Sequence, residues 1–224
     1  MLQQIKKHQL YFSLIAATLF IFFIISLLFS KTESFIFLNG FHCTWLNNFF
    51  SIYTFLGDGL IFLAVTLLFI FLKKKKKAAT LLLGYLTSGF IAQALKRIFY
   101  FPRPKVYFES TAFQYKYFLP GITLHGSNSF PSGHTTSAFC LATILILVFK
   151  KHKICIPCFI IAVMVGYSRI YLAQHFLQDV VLGAFLGVLF GLLSYYFVYD
   201  QKILKPTKKF FRNKKQQTVS LIER

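Results

Sequence analysis

The sequence predicts an all-α, polytopic membrane protein: a six-transmembrane-helix bundle with its active site on the extracytoplasmic side. Three observations predict it. Of the 224 residues, 56% are hydrophobic and 19% aromatic, more apolar surface than a soluble domain of this length can hide. Charged residues are only 14% of the chain and are gathered into short runs. Between the runs lie apolar stretches that approach or exceed 18 residues, the length at which a helix crosses a bilayer.

Taken in order, the expected spans are about 10–29, 54–72, 78–95, 134–149, 154–171 and 179–198. The first follows Lys6-Lys7 and resembles a signal peptide at its start. It is too long for an ordinary signal h-region, and no small-x-small cleavage site follows, so it reads as a retained first helix. The third has room to run on past Lys96, and the fourth is short. Between them, 96–133 is rich in Gly, Ser, Pro and aromatics; it is too apolar for a free linker, and loops of that length usually carry function. No repeat or second domain is visible. Residues 1–200 read as one membrane domain, with its core at about 50–200, and 201–224 as a basic cytoplasmic tail that hugs the membrane.

Charge sets the orientation. Lys6-Lys7, Lys73 to Lys77, Lys150-Lys151-Lys153 and the tail from Lys202 to Arg224 hold eighteen of the 25 Lys and Arg. With six spans all four runs fall on one side, which the positive-inside rule makes the cytoplasm. The formal charge of +19 therefore reads as topology and attraction to anionic lipid, not as nucleic-acid binding. Lys31, Lys96, Arg97, Arg103, Lys105, Lys116 and Arg169 face outward. Cys43 alone of the cysteines faces outward, so no internal disulfide is expected. Cys155-x2-Cys158 lacks a second pair and reads as packing at the start of a span.

Three motifs fall at the outward ends of spans: Lys96-x6-Arg103-Pro104, Pro131-Ser132-Gly133-His134, and Ser168-Arg169-x5-His175-x3-Asp179. Lys96, Arg103 and Arg169 can neutralise a phosphate from three directions, Arg as a fork and Lys as a point charge. Ser132 is a natural N-cap, and the free amides after it form an anion site that Gly133 leaves open to close approach. His175 and Asp179, four apart, can share a helix face. A carboxylate on one imidazole nitrogen leaves the other nucleophilic. Such a constellation at a membrane surface suits chemistry on a lipid phosphate. Metal chemistry does not fit the composition, because Glu33, Asp58, Glu109 and Asp179 are the only outward acids and no ligand spacing joins His42 and His125 to them. No metal and no other cofactor is expected.

These residues together resemble the type 2 phosphatidic acid phosphatase superfamily of membrane lipid phosphatases. All three signature motifs are present, in order, over roughly residues 50–200. The resemblance implies a six-helix core and a metal-independent site at the outer face. It implies that His175 attacks phosphorus to form a phosphohistidine, that Asp179 orients it, and that His134 protonates the leaving oxygen. It implies that Lys96, Arg103, Ser132, Gly133 and Arg169 hold the phosphate. The family's soluble haloperoxidases are excluded by the hydrophobic spans. The expected setting is a prokaryotic inner membrane, and the expected partners are the bilayer and a lipid phosphate. Undecaprenyl diphosphate is the first substrate expected, with lipid A, phosphatidylglycerol phosphate and phosphatidic acid open. A lipid phosphotransferase using the same phosphohistidine, or a non-enzymatic lipid transporter, are the rival classes. Asp58 reads either as support for a site cation or as a cap of span two. His125, Asn128 and the aromatics of 99–118 line either a substrate entrance or an ordinary loop.

Overall fold

The computed structural model describes residues 2–111, 115, 118–119 and 126–200. The helices in chain order are α1 (Leu2–Lys7), α2 (Gln9–Leu28), α3 (Lys31–Leu38), α4 (Thr44–Tyr53), α5 (Gly59–Phe71), α6 (Lys75–Phe99), α7 (Pro104–Glu109), α8 (Gly133–Phe149), α9 (Cys155–Tyr171) and α10 (Leu177–Tyr195). Short 3₁₀ turns at Thr54–Gly57 and His152–Ile154 lead into α5 and α9. The described residues contain no strand, as the sequence predicts.

Four helical segments are long and apolar enough to cross a membrane: Gln9–Leu28, Lys75–Glu109, His152–Tyr171 and Leu177–Tyr199. A fifth arises if Thr44–Gly57 and Gly59–Phe71 count as one span bent by 48°. The expected fourth span is α8, apolar but only 17 residues long. It starts late because Pro131 and the capping Ser132 precede it, and it stops at Lys150 in a left-handed conformation. The expected second span is interrupted by Asp58, which leaves the helical region and caps α5 by accepting the Leu60 N–H at 3.0 Å.

Helix α8 is the axis of the molecule. It packs against α10, α9 and α6, and its buried side chains run all round it, from Thr135 to Val148. The seam with α10 is built on Gly183, Gly187 and Gly191. A Cβ on Gly187 would sit 2.5 Å from the Thr136 carbonyl oxygen, so only glycine admits this backbone approach. Tyr11 Oη and Thr143 Oγ1, 3.0 Å apart, tie α2 to the same axis.

Besides the short α1 and α7, helices α3 and α4 stand outside the expected spans. Helix α3 is started by a capping box in which Ser30 and Glu33 satisfy each other's amides at 2.8 and 3.2 Å. It is held by Asn39 Nδ2 donating to the Ile170 carbonyl at 2.9 Å. Helix α4 is anchored by the Tyr171 hydroxyl donating to Asn47 Oδ1 at 2.6 Å.

The three described basic runs share one end of the bundle. Lys77 Nζ lies 4.2 Å from the centre of the Phe149 ring, just before Lys150, and the His8 and His152 rings are 5.2 Å apart. The C-termini of α6 and α9 and the N-termini of α8 and α10 meet at the other end. The tail 201–224 lies outside the described residues.

Candidate active site

At that second end, α9 hands the chain to α10 through a tight turn. Leu172 N–H closes on Ser168 O at 2.9 Å, and the Gln174 and His175 amides both donate to Arg169 O, at 2.9 and 3.1 Å. Ala173 takes a left-handed conformation, φ 51°, to make the turn. His175 is thus fixed two residues before α10 begins, so the pair with Asp179 is not two side chains on one helix face. It forms because Asp179 caps the helix: Oδ2 accepts the Phe176 N–H at 2.9 Å and so comes within 3.4 Å of His175 Nδ1. Ser129 Oγ donates to the same oxygen. His175 is 2% exposed and Asp179 1%. Burial pushes the His175 pKa well below the ordinary histidine value, the Asp179 carboxylate opposes this, and the Arg103 and Arg169 charges add to the lowering.

Three cations come from three elements. Lys96, in the last turn of α6, donates from Nζ to Asn128 O at 2.6 Å. Arg103, at the head of α7, donates from Nε to Ser127 O at 3.1 Å and from Nη1 to Gln174 Oε1 at 3.0 Å. Arg169, in the last turn of α9, donates from Nη1 to Thr54 Oγ1 at 2.6 Å, while its buried Nε meets no partner among the described residues. Lys96 is 8% exposed and Arg169 7%. Among the described residues none of the three forms an ion pair. Buried cations without a counter-ion are costly, and an anion held between them removes the cost.

Motif two closes the site from α8. Ser132 accepts the Thr135 N–H at 3.4 Å, and its own backbone N–H donates to Asp179 O at 2.9 Å, joining motifs two and three. A Cβ on Gly133 would meet nothing within 4 Å, so this glycine faces open space rather than a close backbone contact. His134 lines a cavity of about 330 Å³ with Gly57, Tyr85, Gln93 and Ser137, between α5, α6 and α8. It lies within electrostatic reach of Arg169, Asp58, Arg103 and Lys96.

All eight residues singled out in the sequence therefore gather at this end. Two that were not singled out join them. Ser129, fully buried, donates to Asp179 and takes its position from a backbone bond to Phe101 O at 3.0 Å. Gln174, 3% exposed, holds Arg103. Their signals were weak: a serine three residues before Ser132, and a polar residue beside His175. Asp58 is a helix cap, as one of its two readings had it. Asn128 holds Lys96 through its carbonyl. Of the loop aromatics, Phe99 and Phe101 pack against each other and against Phe130 in tilted and edge-on contacts, and Phe108 and Tyr115 join a core cluster with Phe35 and Phe176. His125 and Lys116 lie outside the described residues. Among the described residues no three His, Cys, Asp or Glu side chains are grouped so as to hold a metal ion.

Comparison with known proteins gives a consistent answer. Residues 77–203 match the model of the PAP2 superfamily. The chain is 29% identical over 176 residues to a lipid A 4'-phosphatase of Porphyromonas gingivalis, covering 74% of this chain and 70% of that protein. It is 39% identical over 99 residues to phosphatidylglycerophosphatase B of Bacillus subtilis, 39% of this chain and 44% of the relative, so the match spans less than half of that protein. It is 33% identical over 94 residues to the undecaprenyl-diphosphatase BcrC of the same organism, 36% of this chain and 48% of the relative. Among solved structures, Aquifex aeolicus LpxE superposes with a TM-score of 0.61 at 31% identity, over 73% of this chain and 93% of that one. A transmembrane PAP2-type phosphatidylglycerolphosphate phosphatase from Bacillus subtilis superposes with a TM-score of 0.64 at 25% identity, over 92% of this chain and all of the other. The model match covers more than half of the sequence and includes all three motifs: the chain belongs to the PAP2 superfamily.

Proposed function

We propose that this protein is an integral membrane phosphatase that hydrolyses a lipid phosphate or diphosphate through a phosphohistidine. One observation carries the reading: a buried histidine, oriented by a buried carboxylate, stands among two buried cations, Lys96 and Arg169, and the half-buried Arg103, and none of the three has a counter-ion among the described residues. Asp179 accepts from Nδ1, which leaves the Nε2 lone pair free to attack phosphorus. Lys96, Arg103, Arg169 and the Gly133–His134 amides at the head of α8, which Ser132 caps, hold the phosphoryl oxygens, whose charge grows in the transition state. As the P–O bond to the lipid breaks, His134 gives its proton to the leaving oxygen. It then takes a proton from the water that cleaves the P–N bond and releases inorganic phosphate.

The proposal includes six spans, with α8 as the fourth and the bent α4–α5 segment in the second. It places the site on the extracytoplasmic side of a bacterial inner membrane. The support is electrostatic: the three described basic runs gather at the end away from the site. Undecaprenyl diphosphate is the substrate proposed first, supported by the similarity to BcrC. Lipid A is the second reading, because the lipid A 4'-phosphatase match covers 74% of the chain.

The test is phosphate release by purified protein from a panel of undecaprenyl diphosphate, lipid A, phosphatidylglycerol phosphate and phosphatidic acid. Wild-type protein should release phosphate from at least one. The variant His175→Ala should lose at least about a thousandfold. A folded His175→Ala protein with near-normal turnover would sink the mechanism. Transfer of phosphate to a lipid alcohol instead of water would make the enzyme a phosphotransferase.

A further inference from the structure

A fourth cation stands at the edge of the site, and neither the three motifs nor the residues matched by the family model contain it. Lys31 opens α3. Its ammonium lies 4.1 Å from the centre of the Phe176 ring, 5.4 Å from that of Tyr107 and 5.6 Å from that of Phe101. The three rings come from the segments that build the phosphate site. Phe101 lies two residues before Arg103 and accepts the Ser129 N–H on its carbonyl; Tyr107 is in the helix that Arg103 opens; Phe176 sits between His175 and Asp179 and donates its N–H to the Asp179 carboxylate. The Tyr107 hydroxyl lies 3.2 Å from Thr32 Oγ1, which fastens α3 to that wall.

Ordinary structural reasons do not account for a lysine here. A cation in the first turn of a helix opposes the helix dipole. The nearest acid in sequence, Glu33, is committed to the Ser30 amide at 2.8 Å. Among the described residues Lys31 forms no ion pair. It is half-buried, so it is not a solvated surface charge, and it lies within electrostatic reach of Asp179. Three aromatic faces fix an ammonium in place without neutralising it, which leaves its charge available to a ligand.

We propose that Lys31 is a specificity-determining residue that binds a second phosphate group of the lipid substrate, beside the one that His175 attacks. This rests on the phosphatase reading above, and it favours substrates with two phosphates over lipid monophosphates. The second phosphate belongs either to a diphosphate headgroup or to a bisphosphorylated lipid, and the test separates them.

The experiment measures KM and kcat for wild type, Lys31→Met and Lys31→Arg on a prenyl diphosphate, the matching prenyl monophosphate and bisphosphorylated lipid A. Lys31→Met should raise KM about tenfold for the diphosphate, for lipid A or for both, as loss of a charged hydrogen bond does, with kcat within about twofold. The monophosphate should be unaffected, and Lys31→Arg should keep most of the preference. Equal losses on the monophosphate and the two-phosphate lipids would overturn the proposal, as would no change on any of them. Thermal stabilisation of the detergent-solubilised protein by inorganic pyrophosphate against orthophosphate gives a readout free of turnover. Wild type should favour pyrophosphate, and Lys31→Met should not. A wild-type protein that shows this Lys31-dependent preference yet hydrolyses none of the lipids would refute the phosphatase reading and keep the subsite. Equal stabilisation by both anions would refute the subsite.

Discussion

Asp179→Asn isolates the charge of the dyad from its shape. The amide is nearly isosteric with the carboxylate, and its oxygen can still accept from Phe176 N–H and Ser129 Oγ. What disappears is the negative charge 3.4 Å from His175 Nδ1. When Nε2 bonds to phosphorus the ring becomes cationic, with Arg103 and Arg169 already nearby, and Asp179 offsets it from the Nδ1 side. At that separation and an effective dielectric of about 20, the lost attraction is about 5 kcal/mol. That corresponds to a fall in kcat of about three to four powers of ten. A catalytic triad whose Asp is replaced by Asn loses a similar amount, about 10⁴. Stability should change little, because the amide oxygen keeps the Phe176 and Ser129 hydrogen bonds and a neutral group is easier to bury than a charged one. The assay is initial phosphate release under saturating substrate, with a thermal melt on the same preparation. The double variant Asp179→Asn/His175→Ala should be no slower than His175→Ala alone, since the two act as one unit. A folded Asp179→Asn enzyme within tenfold of wild type would refute the orienting and charge-balancing role.

Three other outcomes are expected. Activity should persist in excess chelator and be inhibited by vanadate, a trigonal-bipyramidal phosphoryl mimic; loss in chelator with rescue by Mg²⁺ or Zn²⁺ would overturn the metal-free mechanism. Because burial holds the His175 pKa below its unfolded value, the folded site binds fewer protons than the unfolded chain just below the ordinary histidine pKa. The nucleophile should therefore stay neutral and active below pH 6.5, while this group's effect on stability worsens as pH falls; an acid limb of kcat at the ordinary histidine pKa, traced to His175, would contradict this. Finally, single cysteines Ser110→Cys and Lys75→Cys, in a background without the native cysteines, should react oppositely with a membrane-impermeant thiol reagent on spheroplasts. Labelling at 110 and not at 75 is expected, and the reverse would put the site on the cytoplasmic side.

The sequence made the site more legible than the span count, and there is a physical reason. The proposed phosphate chemistry calls for particular residue types, so Lys96, Arg103, Arg169, His134, His175 and Asp179 stand out by identity and spacing. Hydropathy reports only apolarity, and it cannot tell a lipid-facing helix from a buried one. It read α8 as a short span although its side chains are buried all round, and it passed over the break at Asp58 because one capping acid hardly alters a window average. It passed over α3 and α4 for a related reason: Ser30, Glu33, Asn39 and Asn47 look like loop residues until their bonds to each other, to Ile170 and to Tyr171 are seen. Ser129 and Gln174 escaped because their roles come from contact, not from charge. A neutral hydroxyl matters when a fold returns it to a carboxylate fifty residues away, and a neutral amide when it meets a guanidinium seventy-one residues away. Lys31 is the intermediate case. Its charge was visible, but its significance depends on three aromatic rings drawn from motif segments that only the folded chain assembles around it. Residues that supply charge to the reaction can be read from the chain, whereas residues that steer that charge acquire their function from tertiary contacts.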